Sequence, residues 1–260
     1  MQKVTEKLKE IESGEVGLVV YSQFEKSIVY SMNQNLIVPI ASAAKVVIGY
    51  IIAKLVEEKK VNWCDSIEEI SLNPKEDSHE IYPHLQNRKT LTIREAVEVM
   101  IACHDSFVAN SIVQFCGGWD KVNAEIKLNF NKINIIQNPR NLENQGELSQ
   151  LLELLYQIFV GYRENPELWT PIINGLVRGQ EKIDGIPHYF LNHMTGGLDN
   201  VVIDIGIMGG FHQHPFLYVL GVKNLPNRSE NQLADQKISE AMKLLYKEYL
   251  DQEIKNEILN

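Results

Sequence analysis

Hydrophobic and polar positions along the chain alternate in blocks, and each block predicts an element. MQKVTEKLKEIES mixes charged and apolar residues at helical spacing and reads as an amphipathic helix. VGLVVYS and KSIVYSM are β-branched and aromatic runs separated by the short polar stretch QFE, the pattern of an antiparallel hairpin. From Ala43 to Glu58 the residues are apolar on nearly every side of a helix, which places that helix in the middle of the domain. SLNPKEDSHEIYPHLQNRK is polar and turn-rich. TIREAVEVMIACHDSFVANSIVQFCGG then carries helical periodicity on both sides of a break at CHDS. Asn144 to Tyr162 and ELWTPIINGLVRG add helices. HMTGG, NVVIDIGIMGG and PFLYVLGVKN follow as consecutive strands, and a helix from Gln232 to Leu250 ends the pattern.

The order is helix, two strands, an all-helical middle, three strands, helix. It implies a single α+β domain over residues 1–260, with one antiparallel sheet built from both ends of the chain and covered by helices. The α/β lobe covers about 1–40 and 185–260 and the helical lobe about 41–184, so the cleft between them is the natural site.

The 260 residues are 44% hydrophobic and 23% charged, an ordinary globular composition. A net charge of −9 excludes a nucleic-acid binder, which needs clustered Lys and Arg to neutralise phosphates. The three cysteines, Cys64, Cys103 and Cys116, contain no CxxC pair, and reduced thiols are expected. Neither an apolar signal core nor a run of about 18 apolar residues occurs, so no membrane span and a cytoplasmic location are expected.

Chemistry enters at PIASAAKVVIGY, where Ser42 and Lys45 stand three residues apart on one helix face. Two accounts compete. Either Ser42 starts the helix and Lys45 snorkels to water, or a desolvated amine beside a hydroxyl takes its proton. Elsewhere, His212 and His214 in GGFHQHPF are spaced i, i+2 in an expected turn without a carboxylate or cysteine pattern, so no metal site is expected there. Cys103 and His104 are sequence neighbours that diverge on a helix, and a buried cysteine is the expected outcome.

Five blocks in register, namely the hairpin, IASAAK, LTIREAVEVMIACHDSFVAN, CGGWDKVN and HMTGG before VVIDIGIM, resemble the class A serine β-lactamases, members of the penicillin-recognising serine hydrolases. The resemblance covers nearly the whole chain and implies the β-lactamase/transpeptidase-like fold, with no cofactor. It makes Ser42 the acylated nucleophile and Lys45 its proton acceptor. His104, Asp105 and Ser106 stand at the Ser-Asp-Asn positions, with His104 in the place of the serine that shuttles protons. Met194, Thr195 and Gly196 stand at the Lys-Thr-Gly positions, followed by Gly197, so the strand cation is replaced by an uncharged side chain. Asp105, Ser106, Met194, Thr195, Gly196 and Gly197 form the expected substrate-binding group, and the backbone N–H groups of Ser42 and Gly197 the oxyanion hole. The neighbouring His193 should face away from the site, because adjacent strand residues alternate. Arg140 and Glu143 in the short NPRNLENQGE loop echo the family's loop arginine and glutamate, which makes Glu143 the candidate deacylating base. The partner implied is a small acyl compound: a β-lactam, or an uncharged ester or amide. The alternatives are an esterase, amidase or D-alanyl peptidase-like enzyme, and a catalytically silent binding protein of the same fold.

Overall fold

The computed structural model describes residues 1–228 and 230–259. Helix α1 (Gln2–Lys9) leads into the hairpin β1 (Glu15–Ser22) and β2 (Ser27–Met32). Strand β3 (Ile37–Pro39) and a 3-10 turn at Ala41–Ala43 open α2 (Ala44–Glu57). The middle of the chain holds β4 (Ser66–Ile67), α3 (Ser78–Ile81), β5 (Leu91–Thr92), α4 (Ile93–Ala102), α5 (Ser106–Phe115) and α6 (Trp119–Lys127). After these come β6 (Ile133–Asn134), β7 (Gln145–Glu147), α7 (Leu148–Glu164) and α8 (Pro166–Arg178). Strands β8 (Leu191–Leu198), β9 (Val201–Met208) and β10 (Phe216–Lys223) and helix α9 (Leu233–Leu259) complete the fold. The expected helices and strands are present. The middle is not helix alone, because β3, β7 and β6 pair into a small sheet and β4 pairs with β5. Pairings of two or three residues are too short to show a period of two in sequence. Helix α9 also runs past Leu250, since DQEIKNEIL contains no helix breaker.

The main sheet has the order β2-β1-β10-β9-β8, antiparallel throughout, so both ends of the chain build it and β8 is an edge. Alternation divides its side chains. Val19, Val219, Ile203, Ile205 and Met194 join the core under the helices α2, α4, α7 and α8. Leu18, Val20, Val202, Tyr218 and Leu220 pack with α1 and α9 on the other face. All eight residues of β9, which lies between β10 and β8, are buried, which explains why its sequence is apolar apart from Asp204. In α8, Pro171 cannot donate to the carbonyl of Glu167, and Arg94 Nη2 approaches that oxygen at 3.4 Å instead. Among the described residues no helix is long and apolar enough to cross a membrane.

Candidate active site

The turn before α2 is held under strain. Ala41 sits in the left-handed region at φ +42°, which costs a non-glycine residue about 1–3 kcal/mol. Neighbours fix it there. The Ile40 N–H donates to the Asn144 carbonyl (2.8 Å), and Asn144 Nδ2 donates to the Ala41 carbonyl (3.2 Å). Strand β8 presses on the turn at Gly196, where an added Cβ would lie 2.8 Å from the Ile40 oxygen and 3.1 Å from Ala41 Cβ. Only glycine allows that approach, and it holds β8 against the Ala41–Ala43 turn that carries Ser42.

Eleven of the fourteen α2 residues are buried, Lys45 among them, so the amine has no route to water. Lys45 does not snorkel. Its Nζ donates to Ser42 Oγ at 3.3 Å. Burial pulls its pKa down to about 8, against the attraction of Glu76 and Asp105. At neutral pH a fraction of the amine is therefore free to accept a proton from the hydroxyl.

The break at CHDS is a helix end and a helix start placed back to back. His104 takes φ +54°, and the His104 and Asp105 N–H groups bond the Ile101 and Met100 carbonyls, a Schellman closure of α4. Asp105 then caps α5: its Oδ1 accepts from Phe107 N (2.9 Å) and Val108 N (3.0 Å), and its Oδ2 accepts from Asn73 N (2.8 Å). With its side chain fully buried, Asp105 anchors the junction of α4 and α5. Its bond to Asn73 ties the polar loop to the junction of α4 and α5, and the Glu76 charge in that loop acts on Lys45. Burial raises the Glu76 carboxyl, while Lys45 and His104 oppose the rise. Asn73 Nδ2 also approaches Ser106 Oγ and Glu76 Oε1, both at 3.4 Å.

On β8, Met194 is fully buried in the helix-side core, so the strand position where the family resemblance expects a cation carries a covered, uncharged side chain. Thr195 is half-buried and Gly197 is exposed. His193 lies on the face opposite Met194, the face it shares with Thr195 and Gly197, so it does not turn away from the site as expected: Met194, not His193, is the residue taken into the core. Its Nδ1 is 2.8 Å from Asp204 Oδ1, and Tyr218 Oη donates to the same oxygen at 2.9 Å. The nearest arginine, Arg228, spends its fork on Asp235 and its Nη1 on the Leu198 and Val201 carbonyls. Glu143 is exposed, and among the described residues it makes no hydrogen bond or ion pair with Ser42 or Lys45. Its neighbour Asn144 turns inward instead, with Oδ1 buried and unpartnered.

Several site residues carry no sequence signal. Asn73, Glu76, Asn144 and Glu181 lie in irregular loops, where periodicity says nothing of direction. Glu181, from the connector between α8 and β8, places Oε1 2.7 Å from His104 Nε2. Burial works against its charge, but His104 and, more weakly, His193 hold its carboxyl below the usual range. His212 and His214 lie in the turn before β10, His214 Nδ1 being 3.8 Å from Glu253. Among the described residues no group of three His, Cys, Asp or Glu is placed to hold a metal. Cys103 and Cys116 are buried and Cys64 is exposed, all as free thiols.

Known structures share this fold. The structure of a PBP-A point mutant, an acyl-enzyme complex with penicillin G, superposes with a TM-score of 0.79 at 18% identity, covering 96% of each chain. A β-lactamase from Chitinophaga pinensis gives 0.78 at 19% identity over 95% of this chain and 98% of the other. A variant of the class A β-lactamase of the last common ancestor of Gram-negative bacteria gives 0.77 at 16%, over 96% and 98%. At such identities the likeness is one of fold. No curated protein sequence matches the chain. A family model described as the Beta-lactamase enzyme family matches residues 2–249, and the chain belongs to that family.

Proposed function

We propose that the protein is a serine hydrolase that forms an acyl-enzyme on Ser42, with Lys45 as the base. The observation that carries this reading is the Lys45 amine, sealed from water, 3.3 Å from the Ser42 hydroxyl and with its pKa drawn down to about 8. Lys45 takes the hydroxyl proton, Ser42 Oγ attacks the acyl carbon, and the backbone N–H groups of Ser42 and Gly197 receive the developing oxyanion. His104 supplies the proton that the leaving atom needs. A snorkelling lysine, the competing account of the same motif, does not fit an amine without access to solvent.

The substrate is an uncharged ester or amide rather than an anionic penicillin. The strand position that would carry a cation holds the buried Met194, and the fork of Arg228 is occupied by Asp235. A carboxylate entering this end of the cleft would lose its water without gaining a partner, forgoing a charge-assisted bond worth roughly 1.5–3 kcal/mol. The acyl-enzyme decays slowly, because Glu143 is exposed and Glu147 is tied to Lys132 and Ser149. Incubation with a fluorophosphonate and, separately, with a fluorescent penicillin, followed by intact-mass analysis, tests the reading. The expected result is one equivalent of phosphonate on Ser42 and slow, weak labelling by the penicillin. Absence of any Ser42 adduct would favour the silent binding protein.

A further inference from the structure

His104 does not stand alone at the cleft. It begins a line of ionisable side chains that runs from the active site into the sheet: His104, Glu181, His193, Asp204, Tyr218. His104 Nε2 meets Glu181 Oε1 at 2.7 Å, with the histidine side chain 18% exposed and the glutamate 30%. The two are close enough for an ion pair, but the ring N–H is not aligned on the oxygen as a hydrogen bond requires. Behind Glu181 lies His193, whose pKa is raised because Asp204, its hydrogen bond and the nearby Glu181 together outweigh burial. Tyr218 closes the line on Asp204. Glu181 Oε2 and His193 Nε2 are both sealed from water and lack an aligned hydrogen-bond partner among the described residues. A close pair with one carboxylate oxygen sealed from water and left bare is a poor way to stabilise a fold, since desolvation of the carboxylate is only partly repaid.

We propose that Glu181 is a positioning residue that holds the His104 imidazole across the cleft at its Nε2, so that His104 delivers the leaving-group proton in the acyl transfer at Ser42. The inference rests on the acyl-enzyme reading given above. In the step concerned, a bond forms between Ser42 Oγ and the acyl carbon, and the bond from that carbon to the leaving oxygen or nitrogen breaks. The Ser42 proton passes to Lys45 Nζ, and the leaving atom takes its proton from His104. The backbone supports this role: the Schellman turn and the Asp105 cap fix the His104 backbone from both sides, and Glu181 is the carboxylate 2.7 Å from its ring. Asp105 is tied into the α5 cap and Met194 carries no proton.

The test is the dependence of acylation on the leaving group. A p-nitrophenyl ester releases its phenolate without a proton, whereas the alkyl ester of the same acyl group needs one. Glu181→Gln is expected to leave the first reaction nearly unchanged and to slow the second by about 10²-fold or more, the usual size of general-acid assistance. His104→Asn should show the same split, and the double variant should lose no more than either single one, since the two act as a unit. This cycle keeps the inference testable should one variant fold poorly. Equal slowing of both esters, or additive losses, overturns it. So does a wild-type protein that reacts with the nitrophenyl ester but not with the alkyl ester. Absence of a Ser42 adduct with either ester and with a fluorophosphonate is a different result: it removes the acyl-enzyme reading itself, and this inference with it.

Discussion

Lys45 and His193 are almost equally sealed from water, at 3% and 4% exposure, yet their protons respond in opposite directions. Burial disfavours the charge on both. Lys45 hydrogen-bonds only a neutral hydroxyl, with Glu76 and Asp105 acting through space, so burial prevails and the amine falls to about 8. His193 has the Asp204 carboxylate at 2.8 Å, and that partner overcomes burial and raises the imidazole. The contrast separates a buried group kept reactive from a buried group kept satisfied. The first costs the fold stability, and the second returns much of what it costs.

The largest effect expected from breaking this contrast is at Lys45. Lys45→Met should slow phosphonylation of Ser42 by about 10²–10⁴-fold, the span of a lost general base. It should also stabilise the protein at pH 7 by up to roughly 3 kcal/mol, because the fall from 10.5 to about 8 is a penalty on the buried cation. The sign follows from proton counting: between pH 8 and 10.5 the unfolded chain binds the lysine proton and the folded protein does not, so wild-type stability climbs across that window. Denaturant unfolding at pH 7 and near pH 10.5 should show the variant's advantage shrinking.

Asp204→Ala should do the reverse, costing about 3–5 kcal/mol by stranding His193 and Tyr218 in the core. A histidine raised in the folded state lends stability that is complete below its unfolded value of 6.5 and is lost as pH rises through the folded value. The gap between wild type and Asp204→Ala, read from urea midpoints, should therefore be widest on the acid side of 6.5 and narrow above it. Asp105→Ala comes next, at about 2–3 kcal/mol, from a lost helix cap and an unmet Asn73 N–H. Differential scanning calorimetry checks it, and a variant that binds substrate poorly while keeping full stability would place Asp105 in the substrate-binding group. Smallest of all is Glu143→Gln. The lifetime of the acyl-enzyme, followed by mass, should not change, since Glu143 is exposed; a longer lifetime would make it the deacylating base after all.

The sequence was most legible where periodicity and local chemistry coincide. The apolar run of α2 announced a buried helix, and the CHDS break announced the junction of α4 and α5. Strand alternation misplaced His193, because the expectation took Met194 as the residue facing the site, whereas Met194 faces the core and His193 shares its face with Thr195 and Gly197. Helical spacing allowed Ser42 and Lys45 to meet, but it left the snorkelling account open until burial of the amine decided between the two. Partnerships formed by irregular loops were not legible. Glu181 reaches His104 from 77 positions away in sequence, and Asn73 reaches Asp105 across 32, through turns that carry no directional pattern. Burial of Met194 was also hidden, because an edge strand can show either face to a core and only the packing of α8 and the Ser42 turn against β8 decides.

The most direct test of the central claim is the pH dependence of Ser42 labelling by a fluorophosphonate, followed by intact mass from pH 6 to pH 10. The account predicts one equivalent on Ser42, none on Ser42→Ala, and a rate that rises through about pH 8 as Lys45 loses its proton. A rate independent of pH across that range, or labelling of Lys45→Met as fast as wild type, would contradict it.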